Sequence, residues 1–260
     1  MLKILKYSFF DLIRSKWSYV YFFFYLVISS SLLYLSGDIS KVIISLMNII
    51  LILVPLIASI FGVMYYYNSR EFTELLLAQP IKRTNIFLGQ YIGLAVSLSS
   101  SLLFGLGIPF LVFGIFRSSE IWNFIILIVT GIFLTFIFSA ISFLVALKNE
   151  NRLKGFGIVI FLWMFMAIIY DGLFLLSLIV FKEYPLETIS LILSMLNPID
   201  LSRILILLKL DISALMGYTG AVFRKFFGTD TGLLLSTLIL IMWTVLPVWA
   251  IVRVSGRKNF

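Results

Sequence analysis

The residue types that most often perform catalysis or bind metals are scarce in this chain. It contains no cysteine and no histidine, which excludes thiolate chemistry, imidazole acid–base catalysis and the usual ligand set of zinc. It also lacks a GxxxxGK[ST] loop for phosphate binding. We therefore expect that the chain is not an enzyme, hydrolyses no ATP itself and holds no cofactor or metal of its own.

Asp171 is the one acidic residue inside a long apolar stretch, MFMAIIYDGLFLLSL. An ionisable group within a membrane span costs about 2.5–3.5 kcal/mol at mid-bilayer, so it is a candidate functional residue. The alternative is a position close to the outer interface, or at a helix break at Gly172. A lone carboxylate cannot perform paired acid–base hydrolysis, and an intramembrane enzyme using Asp171 is therefore the less favoured interpretation.

Methionine and asparagine supply the remaining polar or polarisable groups of the apolar stretches. Met164 and Met166 could line a path for a soft metal ion, although such methionines more often fill gaps in packing. Asn48 is expected to form a hydrogen bond across a helix interface. Together these residues and Asp171 make up a candidate pathway of four residues.

Residues 68–85, NSREFTELLLAQPIKRTN, are a charged interruption between two apolar stretches. Asn68 or Ser69, followed by Glu71, has the spacing of a capping box at the start of a helix. Pro80 would end that helix. The segment is therefore predicted to be a short helix between two membrane spans.

One face of this short helix is predicted to bind a partner. By helical spacing the face consists of Phe72, Leu75, Leu76 and Gln79, with Glu71 and Glu74 near the positive end of the helix. A helix of this kind fits a groove in another protein. Insertion among lipid headgroups would explain Lys82 and Arg83, but not two glutamates facing an anionic leaflet. The polar loop KNENRLKG is a candidate second contact.

Composition places the chain among polytopic membrane proteins. It is 62% hydrophobic and 12% charged, and its mean hydropathy is +1.12, far more apolar than soluble domains. Apolar stretches long enough to cross a bilayer recur along it. We predict an all-α fold of one transmembrane domain, residues 1–260, whose six spans cover residues 17–36, 42–67, 86–116, 121–147, 155–181 and 231–252.

The positions of lysine and arginine predict the orientation. Most of them lie at the ends occupied by the N-terminus, residues 68–85, residues 148–154 and the C-terminus. The positive-inside rule then places both termini in the cytoplasm. The net charge of +8 has the same explanation, so we expect no binding of nucleic acid.

Two segments outside the spans are also predicted to be helical. Residues 1–16 do not have the pattern of a cleaved signal peptide, and they are predicted to form an amphipathic helix on the inner leaflet. Its apolar positions are Leu2, Leu5, Phe9, Leu12 and Ile13. Residues 182–230 are predicted to form short external helices, because about fifty residues are near the lower limit for an independent domain.

Three sequence segments carry a resemblance to a known family. The pattern RExTELLLAQPxxR, followed by LGQYIGL, resembles the first cytoplasmic loop of type-2, export-type ABC-transporter permeases. The external segments LNPIDLSRIL and MGYTGAVFRKFFG extend the resemblance to the NosY-like permeases, which serve nitrous-oxide reductase maturation. The likeness covers most of the chain.

The resemblance implies a set of partners and contacts. NosY-like permeases form homodimers in the bacterial inner membrane with a separate NosF-like ATPase, which binds ATP and Mg²⁺. ATPase-coupling contacts would then involve Arg70, Glu71, Phe72, Glu74, Leu75, Gln79, Arg83, Asn149 and Arg152. Contacts with a periplasmic NosD-like protein would involve Asn197, Pro198, Arg203, Arg224 and Lys225.

The resemblance leaves the cargo open. ATP hydrolysis by the partner would drive export of a small species, for which a sulfur compound is one candidate, or would move the periplasmic partner during copper-site maturation. The absence of cysteine and histidine does not favour copper transport through this chain. The alternative is an ABC permease for another cargo, such as a lipid, a drug or a component of gliding motility.

Overall fold

The structure, a computed structural model, describes residues 1–180, 186–209 and 230–257. These residues are almost entirely α-helical, as predicted, and none of them forms a strand. The helices are α1 (Leu2–Ile13), α2 (Lys16–Ser36), α3 (Ile39–Asn68), α4 (Arg70–Leu77), α5 (Arg83–Val112), α6 (Ile121–Lys148), α7 (Arg152–Met164), α8 (Tyr170–Val180), α9 (Leu186–Met195), α10 (Pro198–Lys209) and α11 (Asp230–Arg257). A 3₁₀ turn follows α5 at Ile115–Arg117, and a π turn, Phe165–Ile169, joins α7 to α8.

Six helical segments are long and apolar enough to cross a membrane. They are Lys16–Ser36, Ile39–Asn68, Arg83–Val112, Ile121–Lys148, Arg152–Ser177 and Gly232–Gly256. The fifth runs from α7 through the π turn into α8. The prediction of an all-α, six-span membrane protein is confirmed.

Local sequence explains the tight connection between α2 and α3. Gly37 adopts a positive φ of 62°, and its N–H donates to the carbonyl of Leu33 at 3.3 Å, which ends α2. An Asp38 carboxylate oxygen accepts a hydrogen bond from the N–H of Ser40 at 3.0 Å and caps the start of α3. A left-handed glycine next to an N-cap residue therefore reverses the chain within two residues.

The centre of the bundle is built from α3, α5 and α6, with α2 and α11 packed around them. Small residues allow the close approach. A Cβ at Gly62 of α3 would overlap Ser142 of α6, and a Cβ at Gly131 would lie 2.9 Å from Leu102 and 3.4 Å from Ile50. Close backbone contact at small residues is a principal source of helix association in membranes.

Helix α1 packs on α5 through a row of residues that differs from the predicted apolar positions. Ile4, Ser8 and Leu12 are buried, whereas Leu2, one of the predicted positions, is exposed. Ser8 lies against Gly93 of α5. The buried face of α1 is the one that fits closely against glycines of α5. Counting apolar residues along α1 does not reveal this fit. Leu2 stays free for the predicted contact with the inner leaflet, which remains a prediction.

Candidate docking surface and buried polar network

Helix α4 is attached to the rest of the molecule by one face. The Phe72 ring stacks on Tyr7 of α1 with 4.5 Å between ring centroids. Leu76 packs with Ile4 of α1 and Ile86 of α5 in a separate apolar cluster. The apolar side of α4 is therefore covered by this chain itself.

A buried hydrogen bond strengthens that attachment. The Gln90 side-chain amide of α5 donates to Thr73 Oγ1 at 2.8 Å, and the Thr73 hydroxyl donates to the carbonyl of Ser69 at 2.7 Å. Gln90 is fully buried and Thr73 nearly so. Sequence reasoning missed both residues. The signal was present, because Thr73 is a polar residue on the short helix before a span and Gln90 is a polar residue inside that span, 17 positions later.

The opposite face of α4, which we call the outer α4 face, is exposed. It consists of Arg70, Glu71, Glu74, Leu75 and Gln79. Leu75 is 68% exposed, and Arg70 Nε lies 3.1 Å from Glu74 Oε1 in a solvent-exposed ion pair. The predicted apolar face is therefore divided, because Leu75 and Gln79 point outward while Phe72 and Leu76 point inward.

The start of α4 differs from the prediction. Helix α3 continues through Asn68, and Ser69 at the N-cap makes no capping hydrogen bond with its side chain. The Ser69 hydroxyl instead donates back to the carbonyl of Tyr66 at 3.3 Å. The predicted capping box with Glu71 is therefore wrong, since the preceding span supplies the turn that leads into α4.

The loop between α6 and α7 is bonded to the end of α3, the helix that leads into α4, and its contact with a partner stays a prediction. The hydroxyl of Tyr67, near the end of α3, donates to the carbonyl of Asn149 at 2.7 Å and is 3.2 Å from the carbonyl of Asn151. Gly155 accommodates the Tyr67 ring, because a Cβ at that position would overlap it. One tyrosine therefore joins the two loops that the sequence predicted to act together.

Two arginines extend this exposed surface. Arg152 begins α7 with its guanidinium 5.7 Å from the centre of the Phe156 ring. Arg83 begins α5 and is also exposed. The Asn149 side chain is half-buried and donates to the carbonyl of Val145 at 2.7 Å. The predicted ATPase-coupling residues thus lie at one end of the bundle, except that Phe72 faces inward.

A second group of polar residues lies near the start of α8, where Asp171 forms an ion pair with Arg203 of α10. Arg203 Nη1 is 2.9 Å and 2.8 Å from the two carboxylate oxygens of Asp171, and 3.3 Å from Asp200 Oδ1. Asp171 follows Arg152 by 19 residues, or roughly 30 Å of helix. The arginine therefore holds two carboxylates at the end of the span distant from α4.

Asn197 completes this group, which we call the buried polar network: the buried Asn197 and Asp200 with the half-buried Asp171 and Arg203. Its side-chain amide donates to the carbonyl of Met166 and to Asp200 Oδ2, both at 2.8 Å. Its Oδ1 accepts from the N–H of Ile199 at 3.0 Å and so caps α10. Burial raises the pKa of Asp200 to about 7, with a further increase from Asp171 that Arg203 and Asn197 oppose.

The structure joins residues that the sequence had assigned to different roles. Asp171 was a candidate pathway residue, and Arg203 and Asn197 were candidate contacts for an outer partner. Asn197 and Pro198 are buried, and their contact with a partner stays a prediction. Arg224 and Lys225 lie outside the described residues.

The other candidate pathway residues do not join this network through their side chains. Met164 and Met166 are half-buried on α7 and the π turn, and only the backbone carbonyl of Met166 takes part. Asn48 is exposed, and its amide donates to the carbonyl of Ile44 in its own helix at 3.4 Å. The predicted hydrogen bond of Asn48 across a helix interface is therefore wrong. Within the described ranges, no three acidic side chains form a metal-binding cluster.

Comparison with known proteins supports the family resemblance. The chain is similar to a protein of Stutzerimonas stutzeri described as a probable ABC transporter permease protein NosY, with 26% identity over 214 residues. The match covers 79% of this chain and 74% of that protein. No protein-family model matches the chain. The similarity supports an ABC transporter permease subunit that is NosY-like at modest identity.

Proposed function

We propose that this chain is the membrane-spanning permease subunit of an ABC exporter, and that a separate ATPase docks on the outer α4 face. One observation carries the proposal: α4 is fixed to the bundle by its apolar side and exposes Leu75 among charged side chains on the other. A helix held in this way can receive force from a partner and pass it to the bundle. ATP and Mg²⁺ are bound by the partner.

The contacts of α4 define the route of that force. Movement of α4 acts on α1 through the stacked pair Tyr7–Phe72 and on α5 through the hydrogen bond from Gln90 to Thr73. Helix α1 in turn packs closely on α5. Displacement of the docked ATPase would therefore move α5, one of the three central helices, rather than a peripheral one.

We infer that the permease works as a homodimer in the bacterial inner membrane, with both termini in the cytoplasm. The fifth span supports the dimer, because only 6% of its most apolar window is buried within this chain. The corresponding values are 50% for α3 and α5 and 56% for α6. A second copy that packs against α7–α8 would place two such spans together at the centre of the assembly.

The similarity to NosY suggests a role in nitrous-oxide reductase copper-site maturation, with a NosF-like ATPase and a NosD-like periplasmic protein as partners. The transported species would be small, with a sulfur compound as a candidate, or the ATP-driven motion would be passed to the periplasmic partner. A different cargo within the same transporter class is the second candidate.

An intramembrane enzyme that uses Asp171 is disfavoured by the geometry. Both carboxylate oxygens of Asp171 lie within 3 Å of Arg203 Nη1. This ion pair ties the carboxylate to α10 instead of leaving it available to a substrate. Asp171 therefore serves structure better than proton transfer.

Affinity purification of the tagged chain from its native membranes tests the proposed function. We expect an ABC ATPase to co-purify in an amount equal to the chain, together with an outer protein. A NosD-like protein would identify the NosY role, and a different outer partner would identify another cargo. Recovery of the folded chain without any ATPase would contradict the proposal.

A further inference from the structure

The π turn between α7 and α8 is supported from outside its own helix. A π turn contains one residue more than an α-helix needs, and such turns are often found at functional positions in membrane and soluble proteins. Within Phe165–Ile169 the carbonyl of Met166 accepts a hydrogen bond from the side chain of Asn197, at 2.8 Å. The support comes from the first residue before α10, 31 positions away in sequence.

Three contacts from the helices α9 and α10 meet the same short part of the span. Besides the bond to Met166, the Tyr170 hydroxyl donates to the carbonyl of Leu193 at 2.7 Å, and Asp171 pairs with Arg203. All three residues of the span lie in the π turn or within two residues after it. The contacts are therefore concentrated where the helix departs from α geometry.

We propose that α10 is a conformational clamp. Asn197 and Arg203 hold the fifth span in its π-turn form, and their contacts with Met166 and Asp171 break when the span becomes continuous α-helix. The two residues are positioning residues, since they act on the backbone and on Asp171. The clamp is independent of the proposed ATPase partner and holds for any membrane protein with this geometry.

Helix geometry makes the two states exclusive. An α-helix turns about 100° per residue, so in an unbroken helix Asp171 would lie about 140° around the axis from Met166. Asn197, at the N-cap of α10, and Arg203, six residues later in the sequence, contact these two positions together. If the π turn became regular α-helix, Asn197 could not keep its contact with Met166 while Arg203 kept its contact with Asp171.

The clamp also fixes α10 itself. Asn197 caps α10 through its Oδ1 while its amide group reaches Met166. Asp200 accepts from both Asn197 and Arg203. Release of the span would leave Asn197 without its Met166 acceptor and Arg203 without Asp171, so the start of α10 would loosen together with the π turn. A coupled change in two segments distinguishes a clamp from a simple local contact.

Hydrogen–deuterium exchange of the full chain in lipid nanodiscs tests the clamp. Asn197→Ser retains an N-cap oxygen but cannot reach Met166, and Asp171→Asn removes the ion pair with Arg203. Ser202→Ala is the matched control, because Ser202 is buried in α10 and its hydroxyl has no hydrogen-bond partner among the described residues.

We expect each test variant to increase exchange about tenfold or more in residues 165–171 and 197–203 together, with exchange in α6 unchanged. The control should match the unmodified chain in all three segments. Unchanged exchange in residues 165–171 in both test variants would overturn the proposal. An equal increase in α6 would also overturn it, because a clamp acts locally.

Discussion

The hydroxyl of Tyr67 lies 2.7 Å from the carbonyl oxygen of Asn149 and donates a hydrogen bond to it, which joins the end of α3 to the loop before α7. The two segments are 82 positions apart in sequence. The loop before α7 is therefore fixed to the end of α3, the helix that leads directly into α4.

Tyr67→Phe should loosen the loop before α7 while leaving the bundle folded. The lost hydrogen bond is worth about 0.5–1.5 kcal/mol, and the ring keeps its place against Gly155. We expect faster proteolysis within residues 148–154. Tyr34→Phe is the control, because Tyr34 is 82% exposed near the end of α2 and makes no contact with the loop. Equal proteolysis in both variants would argue against the role of the Tyr67 hydroxyl.

Thr73→Val should weaken the attachment of α4 more than Gln90→Met. Removal of Thr73 Oγ1 leaves the buried Gln90 amide without its acceptor, at a cost of about 1–3 kcal/mol. The double variant should recover part of this loss, because both polar groups are then absent. Thermal unfolding of the four proteins measures the coupling. Strict additivity would show that the 2.8 Å contact contributes nothing.

Gly93→Ala should displace α1 from α5. The added Cβ would lie 2.6 Å from the Ser8 Cβ and 3.0 Å from the carbonyl oxygen of Leu5, so the backbone of α1 has to move. Gly107→Ala in the same helix is the control, since nothing lies within 4 Å of its Cβ position. We expect a lower melting temperature for the first variant and an equal or higher one for the second. Stability lost equally in both would contradict the close contact.

The stability of the α10 region should depend on pH through Asp200. Its pKa is raised to about 7 by burial and then by Asp171, against the opposing effects of Arg203 and Asn197, and Tyr170 also faces it. Because the folded-state pKa exceeds that of the unfolded chain, protonation contributes stability that is complete below about pH 4 and is lost as the pH rises through about 7.

Thermal unfolding at pH 5 and pH 8 measures this effect. We expect a higher melting temperature at pH 5, with a smaller difference between the two values in Asp200→Asn, whose side chain stays neutral. Contributions from groups distant from Asp200 are the same in both proteins and cancel in the comparison. A variant with the same pH dependence as the unmodified chain would rule out Asp200 as the source.

The spans were predictable because length and hydrophobicity alone define them. The exposed position of Leu75 was also predictable, since helical spacing placed it on a face suited to a partner. The sequence did not predict that Phe72, on the same predicted face, would point toward the bundle. Phe72 turns inward because α1 supplies Tyr7 as a stacking partner, and hydropathy carries no information about which long-range neighbour a side chain will meet.

The buried polar network shows a second limit of sequence reasoning. Asp171 was recognised as costly inside a span, but its partner Arg203 is 32 positions away. Arg203 had been assigned to contact with a periplasmic partner, because the family resemblance implied that role for its segment. A buried charge needs a counter-charge, and pairing an isolated acid in a span with each nearby arginine is the test that would have found the pair.

Leu75→Glu tests the docking of an ATPase on the outer α4 face most directly. Leu35→Glu is the matched control. Leu35 is also highly exposed, and it lies near the last residue of α2, at the end of that helix distant from α1 and α4. The measurement is the amount of ABC ATPase that co-purifies with each tagged variant from native membranes. We expect Leu75→Glu to lose at least about 90% of the ATPase, as a loss of about 1.4 kcal/mol would produce, and Leu35→Glu to retain all of it. Retention of the ATPase by Leu75→Glu at the level of the control would contradict the assignment of this face.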